Sequence, residues 1–172
     1  MNQFVKAIPQ RCIGCRTCLV ACVVAHEGKR IFEIDPDGYN FNPRLFMVKT
    51  ARVSAPVHCR HCENPACKAS CTSGAISIEE NRVAINTKKC IGCKNCVIAC
   101  PFGAVEIVET GESLPDGTPR KAASKCDLCA GVSDRPSCVK VCPTDALELV
   151  TGEDLAGSIA RKRRNAVAAS SL

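Results

Sequence analysis

Sixteen of the 172 residues are cysteine, and they fall into four groups of four. The groups are Cys12, Cys15, Cys18 and Cys22; Cys59, Cys62, Cys67 and Cys71; Cys90, Cys93, Cys96 and Cys100; and Cys126, Cys129, Cys138 and Cys142. The first and third share the spacing C-x2-C-x2-C-x3-C, and CIGCRTCLVAC and CIGCKNCVIAC agree at 7 of 11 positions. An internal repeat of this kind marks duplication of one supersecondary unit. Such cysteine density excludes most enzyme folds, and with no Trp, one Tyr and five Phe there is little material for a large conventional core.

The run C-x2-C-x2-C-x3-C-P is the bacterial 4Fe-4S signature, whose fourth cysteine ligates the other cluster of a pair. A short loop must wrap a cubane closely. Ile13-Gly14 and Ile91-Gly92 suit that task, since glycine admits positive φ and lets the backbone approach, while the isoleucine is expected to shield the cluster from water. Pro101 and Pro143 directly follow the fourth cysteines of groups three and four and stop the preceding helical turn. Three cysteines within seven residues crowd a tetrahedral zinc poorly. A disulfide framework fits neither the spacing nor the first ten residues, MNQFVKAIPQ, which carry no secretory signal and predict a cytoplasmic chain. Group two, with Thr72 where a proline is expected, and group four, with eight residues before Cys138, are looser individually.

The cysteine groups also organise the chain. After the last cysteine of three groups, CTSGAISI, CPFGAVEI and CPTDALELV each predict a turn leading into a short strand of period two. ISIEENRVAI predicts two strands around a polar turn at Glu80, Asn81 and Arg82. The three residues between the third and fourth cysteines make one helical turn, and the strand after group one is the least clear. Groups two and three are the nearest neighbours, 19 positions apart from Cys71 to Cys90, and are expected to form one module over residues 53–108. Groups one and four would then pair across it, as a split module of residues 1–52 and 109–150 with the first nested inside. Two longer segments interrupt the pattern. Residues 23–58 hold GKR, DPDG and NPR turn signals around IFEI and RLFMV, and residues 109–125 are rich in Gly, Pro and charge. Each reads as a surface loop with a hairpin, the sharper alternative being a docking point for a partner subunit.

Other residues add less. No Ser-His-Asp or Cys-His catalytic set is visible, and there is no G-x-G-x-x-G or P-loop to hold a nucleotide. His58 and His61 flank Cys59; packing is the simpler reading, with tuning of a nearby cluster as the alternative. His26 offers nothing beyond packing. Thr151 and Asp154 have the spacing of a capping box ahead of Leu155, and a helix is expected to run to Ala169. Its basic run, Arg161, Lys162, Arg163 and Arg164, reads as a solvated face, or else the helix, with Leu155 and Ile159 one turn apart, docks onto a partner. No stretch approaches the roughly 18 apolar residues of a membrane span.

CIGCRTCLVACVVAH, CRHCENPAC, CIGCKNCVIACPFGAVEIV and CDLCAG…CVKVCPTDAL together resemble the four-cluster ferredoxin-like electron-transfer subunits of molybdenum and tungsten oxidoreductases. The nearest branch is the iron-sulfur subunits of formate hydrogenlyase and hydrogen-dependent carbon dioxide reductase, and the likeness covers about Phe4 to Val150. It implies an α+β fold of tandem, nested ferredoxin-like modules with short helices and hairpins, followed over residues 151–172 by the C-terminal helix and tail read above. It further implies four 4Fe-4S clusters. One would be held by Cys12, Cys15, Cys18 and Cys142; its mate by Cys126, Cys129, Cys138 and Cys22; the inner pair by Cys59, Cys62, Cys67 and Cys100, then Cys90, Cys93, Cys96 and Cys71.

The function implied is relay of electrons between a formate dehydrogenase-type catalytic subunit and a hydrogenase or other redox partner, without catalysis by the chain itself. A second polyferredoxin subunit or another copy of the chain is a further expected partner, since the carbon dioxide reductase branch assembles into filaments. A structural scaffold and a free polyferredoxin shuttle are the competing readings. The formal charge of +6 would by itself hint at nucleic acid. Four clusters at about −2 each, however, bring roughly −8 and leave the holoprotein near −2, so the basic excess reads as compensation and no nucleic-acid partner is expected.

Overall fold

A computed structural model of the chain describes residues 1–28, 31–33 and 41–169. In chain order the elements are β1 (Phe4–Ala7), α1 (Thr17–Glu27), β2 (Phe46–Lys49), β3 (Ser54–Val57), α2 (Ala66–Ala69), β4 (Ile76–Glu79), β5 (Arg82–Ile85), α3 (Asn95–Ala99), β6 (Glu106–Ser113), β7 (Pro119–Ser124), α4 (Ser137–Lys140), β8 (Leu147–Val150) and α5 (Gly152–Ala169). Short 3-10 turns cover Pro9–Arg11 and Ile31–Glu33.

The strands form four antiparallel two-stranded ribbons. Three are local hairpins, and the fourth joins the first strand to the last, with Phe4 opposite Val150 and Ala7 opposite Leu147. β4 and β5 turn through Glu80 and Asn81, both at positive φ (46° and 61°). That is the geometry of a two-residue turn whose twist matches the flanking strands. Arg82, expected in the turn, already pairs with Glu79 as the first residue of β5.

Each cysteine group carries a helix. α1 and α3 both start after a cationic residue in the left-handed region, Arg16 at φ 64° and Lys94 at φ 67°, so the duplicated sequences repeat the same local fold. α2, α3 and α4 last about one turn, as Pro101 and Pro143 require of the last two. No proline follows Cys22, and Val23, Val24 and Ala25 carry α1 on to Glu27, where Gly28 at φ 67° caps it through its N–H to the Val24 carbonyl at 3.1 Å. The unclear strand after group one is therefore helix. α1 packs on α4 and α2 on α3.

Residues 109–125 are mostly strand. The β6–β7 hairpin runs from Glu106 to Ser124 with a register shift between Glu109 and Ser113, and only Leu114–Thr118 turn. Of residues 23–58, β2 and β3 form a hairpin containing part of RLFMV, whereas GKR in part, the whole of DPDG and the end of IFEI lie outside the described residues. The capping box forms: Thr151 N–H and hydroxyl both donate to Asp154 Oδ2 (2.9 and 2.8 Å), and Asp154 N–H donates to Thr151 Oγ1 at 3.2 Å. No side chain of α5 is buried.

The core is divided. One apolar cluster gathers Val5, Leu45, Leu128, Val139 and Leu147 around buried Cys18, Cys22, Cys59, Cys126 and Cys138. A second gathers Ile76, Val83, Val105 and Ala123 around Cys67 and Cys96, and Cys100 packs against both. Cysteine thus takes positions that larger apolar side chains fill elsewhere. Among the described residues no helix is long and apolar enough to cross a membrane.

Candidate metal centres

Two small cavities open beside the duplicated loops. The first is lined by Cys12, Cys15, Cys18 and the distant Cys142, with Ile13, Met47 and Leu147 supplying its apolar wall. Lining the second are Cys90, Cys93, Cys96 and Cys71, walled by Ile76, Ile85 and Ile107. In each, three cysteines of one group meet the last cysteine of another. The loop glycines make this possible. Gly14 sits at φ 69° with Ser54 close behind it, and at Gly92 (φ 68°) a Cβ would lie 3.2 Å from the Lys121 carbonyl oxygen. Ile13 and Ile91 edge the cavities but are themselves 67% and 69% exposed, so their shielding of the sites is only one-sided.

The remaining eight cysteines lie deeper. Cys22, Cys126, Cys129 and Cys138 are all buried, and the charge on Cys138 is felt from Cys126, Cys129 and Cys22. Cys59 is influenced by Cys100 and Cys62, and Cys67 by Cys59 and Cys100. Burial first, then these neighbouring thiols, pushes the titrations up: Cys18 to about 11 and Cys126 to about 12, with Cys59, Cys67, Cys96 and Cys138 also raised. Four such thiols crowded together become thiolates when a metal offsets their charge.

Backbone donors already aim at the sulfurs. Amides of Arg44, His61, Ala104, Ala123, Ser137 and Ala146 donate to Cys22, Cys59, Cys100, Cys90, Cys129 and Cys142 Sγ at 3.2–3.4 Å. Thr17 Oγ1 donates to Cys15 Sγ at 3.3 Å. All-thiolate donor sets, apolar walls and N–H···S bonds fit iron-sulfur clusters, whose potentials such bonds adjust.

Three histidines and one lysine complete the surroundings. His58 and His61 are both buried, and His58 reaches Cys138 of group four, its Nε2 being 3.8 Å from that sulfur. Burial and the Arg60 charge hold its imidazole down at about 4. His61 Nδ1 accepts from Val83 N–H at 3.0 Å, and burial with the Lys125 charge lowers it to about 3. His26, expected only to pack, does more. Its Nδ1 bonds the Cys22 carbonyl at 2.7 Å and its Nε2 meets Asp127 Oδ1 at 3.0 Å, while Arg44 pairs with the other oxygen of Asp127. Burial opposes charge on both partners, yet the shared contact wins, holding His26 up at about 10 and Asp127 down at about 2. Lys125 is buried beside Cys126 with no sequence signal to announce it, since lysine before cysteine also occurs at the surface, as Lys89 does.

Comparison with known proteins agrees with this chemistry. The 4Fe-4S dicluster domain family matches residues 51–152, and the 4Fe-4S binding domain matches residues 9–24. The electron transport protein HydN of Escherichia coli (strain K12) is 42% identical over 171 residues, covering 95% of this chain and 97% of that protein. Formate hydrogenlyase subunit 2 of the same strain is 36% identical over 188 residues, covering 95% of this chain and 89% of the relative. The putative oxidoreductase AegA, again from that strain, is 44% identical over 164 residues, but the chain spans only 24% of its length. With cysteine-lined cavities, sulfur-directed amides and these matches in agreement, the chain belongs to the 4Fe-4S dicluster family and carries 4Fe-4S clusters.

Proposed function

We propose that the chain is a four-cluster electron relay, a non-catalytic subunit passing electrons between a formate dehydrogenase-type catalytic subunit and a hydrogenase or other redox partner. The observation that carries it is the pair of cavities in which Cys142 joins group one and Cys71 joins group three. Exchange of the last cysteine between groups is what two-cluster ferredoxin loops require. By the same exchange, Cys22 completes the set Cys126, Cys129 and Cys138, and Cys100 completes Cys59, Cys62 and Cys67. The clusters would supply one-electron transfer at low potential.

The protein's part is to space, insulate and bias them. The proximity of Cys18 to Cys138 and of Cys59 to Cys126, each felt as a neighbouring charge, and the shared packing of Cys67 with Cys96 support a linear order: Cys12/15/18/142, then Cys126/129/138/22, then Cys59/62/67/100, then Cys90/93/96/71. Exposed Cys15 and Cys93 stand at the two ends, where partners would exchange electrons. Packing of α1 on α4, pairing of β1 with β8, and packing of α2 on α3 support the nested division. The β6–β7 hairpin crosses the expected boundary at residue 108, and Ala123 packs with the inner cysteines, so the inner module is better taken to Ser124. Relatives named for electron transport and formate hydrogenlyase favour the formate and hydrogen assignment. Sixteen cysteines committed to clusters suit a reducing compartment, the cytoplasm. The unburied α5 favours a second role as connector to a partner or to another copy.

The test is Cys126→Ser in the assembled complex. Formate-dependent hydrogen evolution should be lost while formate oxidation with a soluble dye persists; unchanged hydrogen evolution would reject the relay.

A further inference from the structure

Lysine is almost never fully buried unless paired, yet Lys125 is only 4% exposed. It follows β7 and turns inward, where its Nζ donates to the Val83 carbonyl and, at 3.0 Å, to the Cys126 carbonyl. Neither acceptor carries a full charge. Among the described residues no carboxylate forms an ion pair with it, and the carboxylate nearest in sequence, Asp127, is taken up by His26 and Arg44. Removing an ammonium from water costs several kcal/mol unless an anion compensates. Val83, whose carbonyl Lys125 holds, donates its own N–H to His61 Nδ1 at 3.0 Å, His61 N–H donates to Cys59 Sγ at 3.4 Å, and Val83 packs in one cluster with Cys67 and Cys100, so the ammonium lies against that cysteine set.

The geometry points to Lys125 as the potential-setting residue of the cluster held by Cys59, Cys62, Cys67 and Cys100, its buried ammonium raising that cluster's reduction potential. The inference rests on the four-cluster reading above. On one-electron reduction a cubane with four thiolates passes from about −2 to about −3 in total charge. A fixed cation in a low-dielectric interior stabilises the more negative state and so makes the electron easier to accept. Lys125 also adjoins Cys126 of the neighbouring set, so it stands where the electron crosses between the two modules. The anion that the buried lysine lacks is the cluster itself.

The experiment is a redox titration of the full chain, reduced with dithionite in the presence of mediators and followed by electron paramagnetic resonance, in parallel with iron and sulfide analysis. Lys125→Met should lower one of the four potentials and leave the rest in place. Lys121→Met, which removes a surface lysine of β7 paired with Glu109 of β6, serves as control and should shift none. If Lys125→Met loads fewer clusters, Lys125→Arg decides, and should restore both loading and the wild-type potential. A fully loaded Lys125→Met with all potentials unchanged, or a Lys125→Arg that loads as poorly as Lys125→Met, overturns the inference. Wild-type protein with fewer than four clusters would instead overturn the four-cluster reading.

Discussion

Gly92 and Gly117 separate two demands that glycine meets. Both have positive φ (68° and 82°), but a Cβ at Gly117 would meet nothing, whereas at Gly92 it would press on the Lys121 backbone at 3.2 Å. Alanine in the left-handed region costs about 1–2 kcal/mol by itself. Gly92→Ala should therefore destabilise more than Gly117→Ala and hasten iron loss to a chelator, because the strain falls within the cysteine loop. Equal rates of iron release would show that the close approach to Lys121 is unimportant. Asp127 is a second test. It joins His26 to Arg44, and its removal leaves both of them half-buried without their shared acceptor; Asp127→Ala should cost about 2 kcal/mol and lower the apparent melting temperature of loaded protein by roughly 4–8 °C. The loop glycines and the grouping of the cysteines could be read from local spacing. The roles of His26 and Lys125 could not, since their partners lie 101 and 42 positions away.

At the scale of elements, the reading succeeded where one residue dictates a local outcome. Prolines after Cys100 and Cys142 end short helices, and Thr151 with Asp154 starts α5. It missed where stopping signals are absent, as in the extension of α1, and it gave the hairpin within residues 109–125, whose strands run longer than the turn-rich composition suggests. There Arg120 donates to the Thr87 carbonyl at 2.6 Å and pairs with Glu112, tying the hairpin to the loop ahead of Cys90. Because α5 buries no side chain fully, its cap carries a large share of its stability. Thr151→Ala should cost about 1 kcal/mol of local helix stability, seen as faster hydrogen exchange in α5 with exchange around the cysteine groups unchanged. Deleting residues 152–172 tests the connector role: the complex should shrink in size-exclusion while the truncated chain keeps its iron, and unchanged assembly would reject it.

For the whole molecule, the cysteines supply part of the core and line the candidate cluster sites. Their grouping made the ferredoxin-like class legible, because an iron-sulfur loop fixes ligand spacing in sequence. Which groups meet in space is a tertiary fact that spacing only suggests, and the joining of Cys142 to group one and Cys71 to group three in single cavities supports the nesting read from it. The +6 formal charge takes on meaning at this scale too, as a cationic frame, with Lys125 buried inside it, around anionic clusters. The most direct test of the four-cluster relay is anaerobic native mass spectrometry of the intact chain. The expected result is one dominant species carrying about 16 iron and 16 sulfide atoms, four cubanes on sixteen cysteines; a dominant species with fewer than four clusters, or with zinc in place of iron, would contradict it.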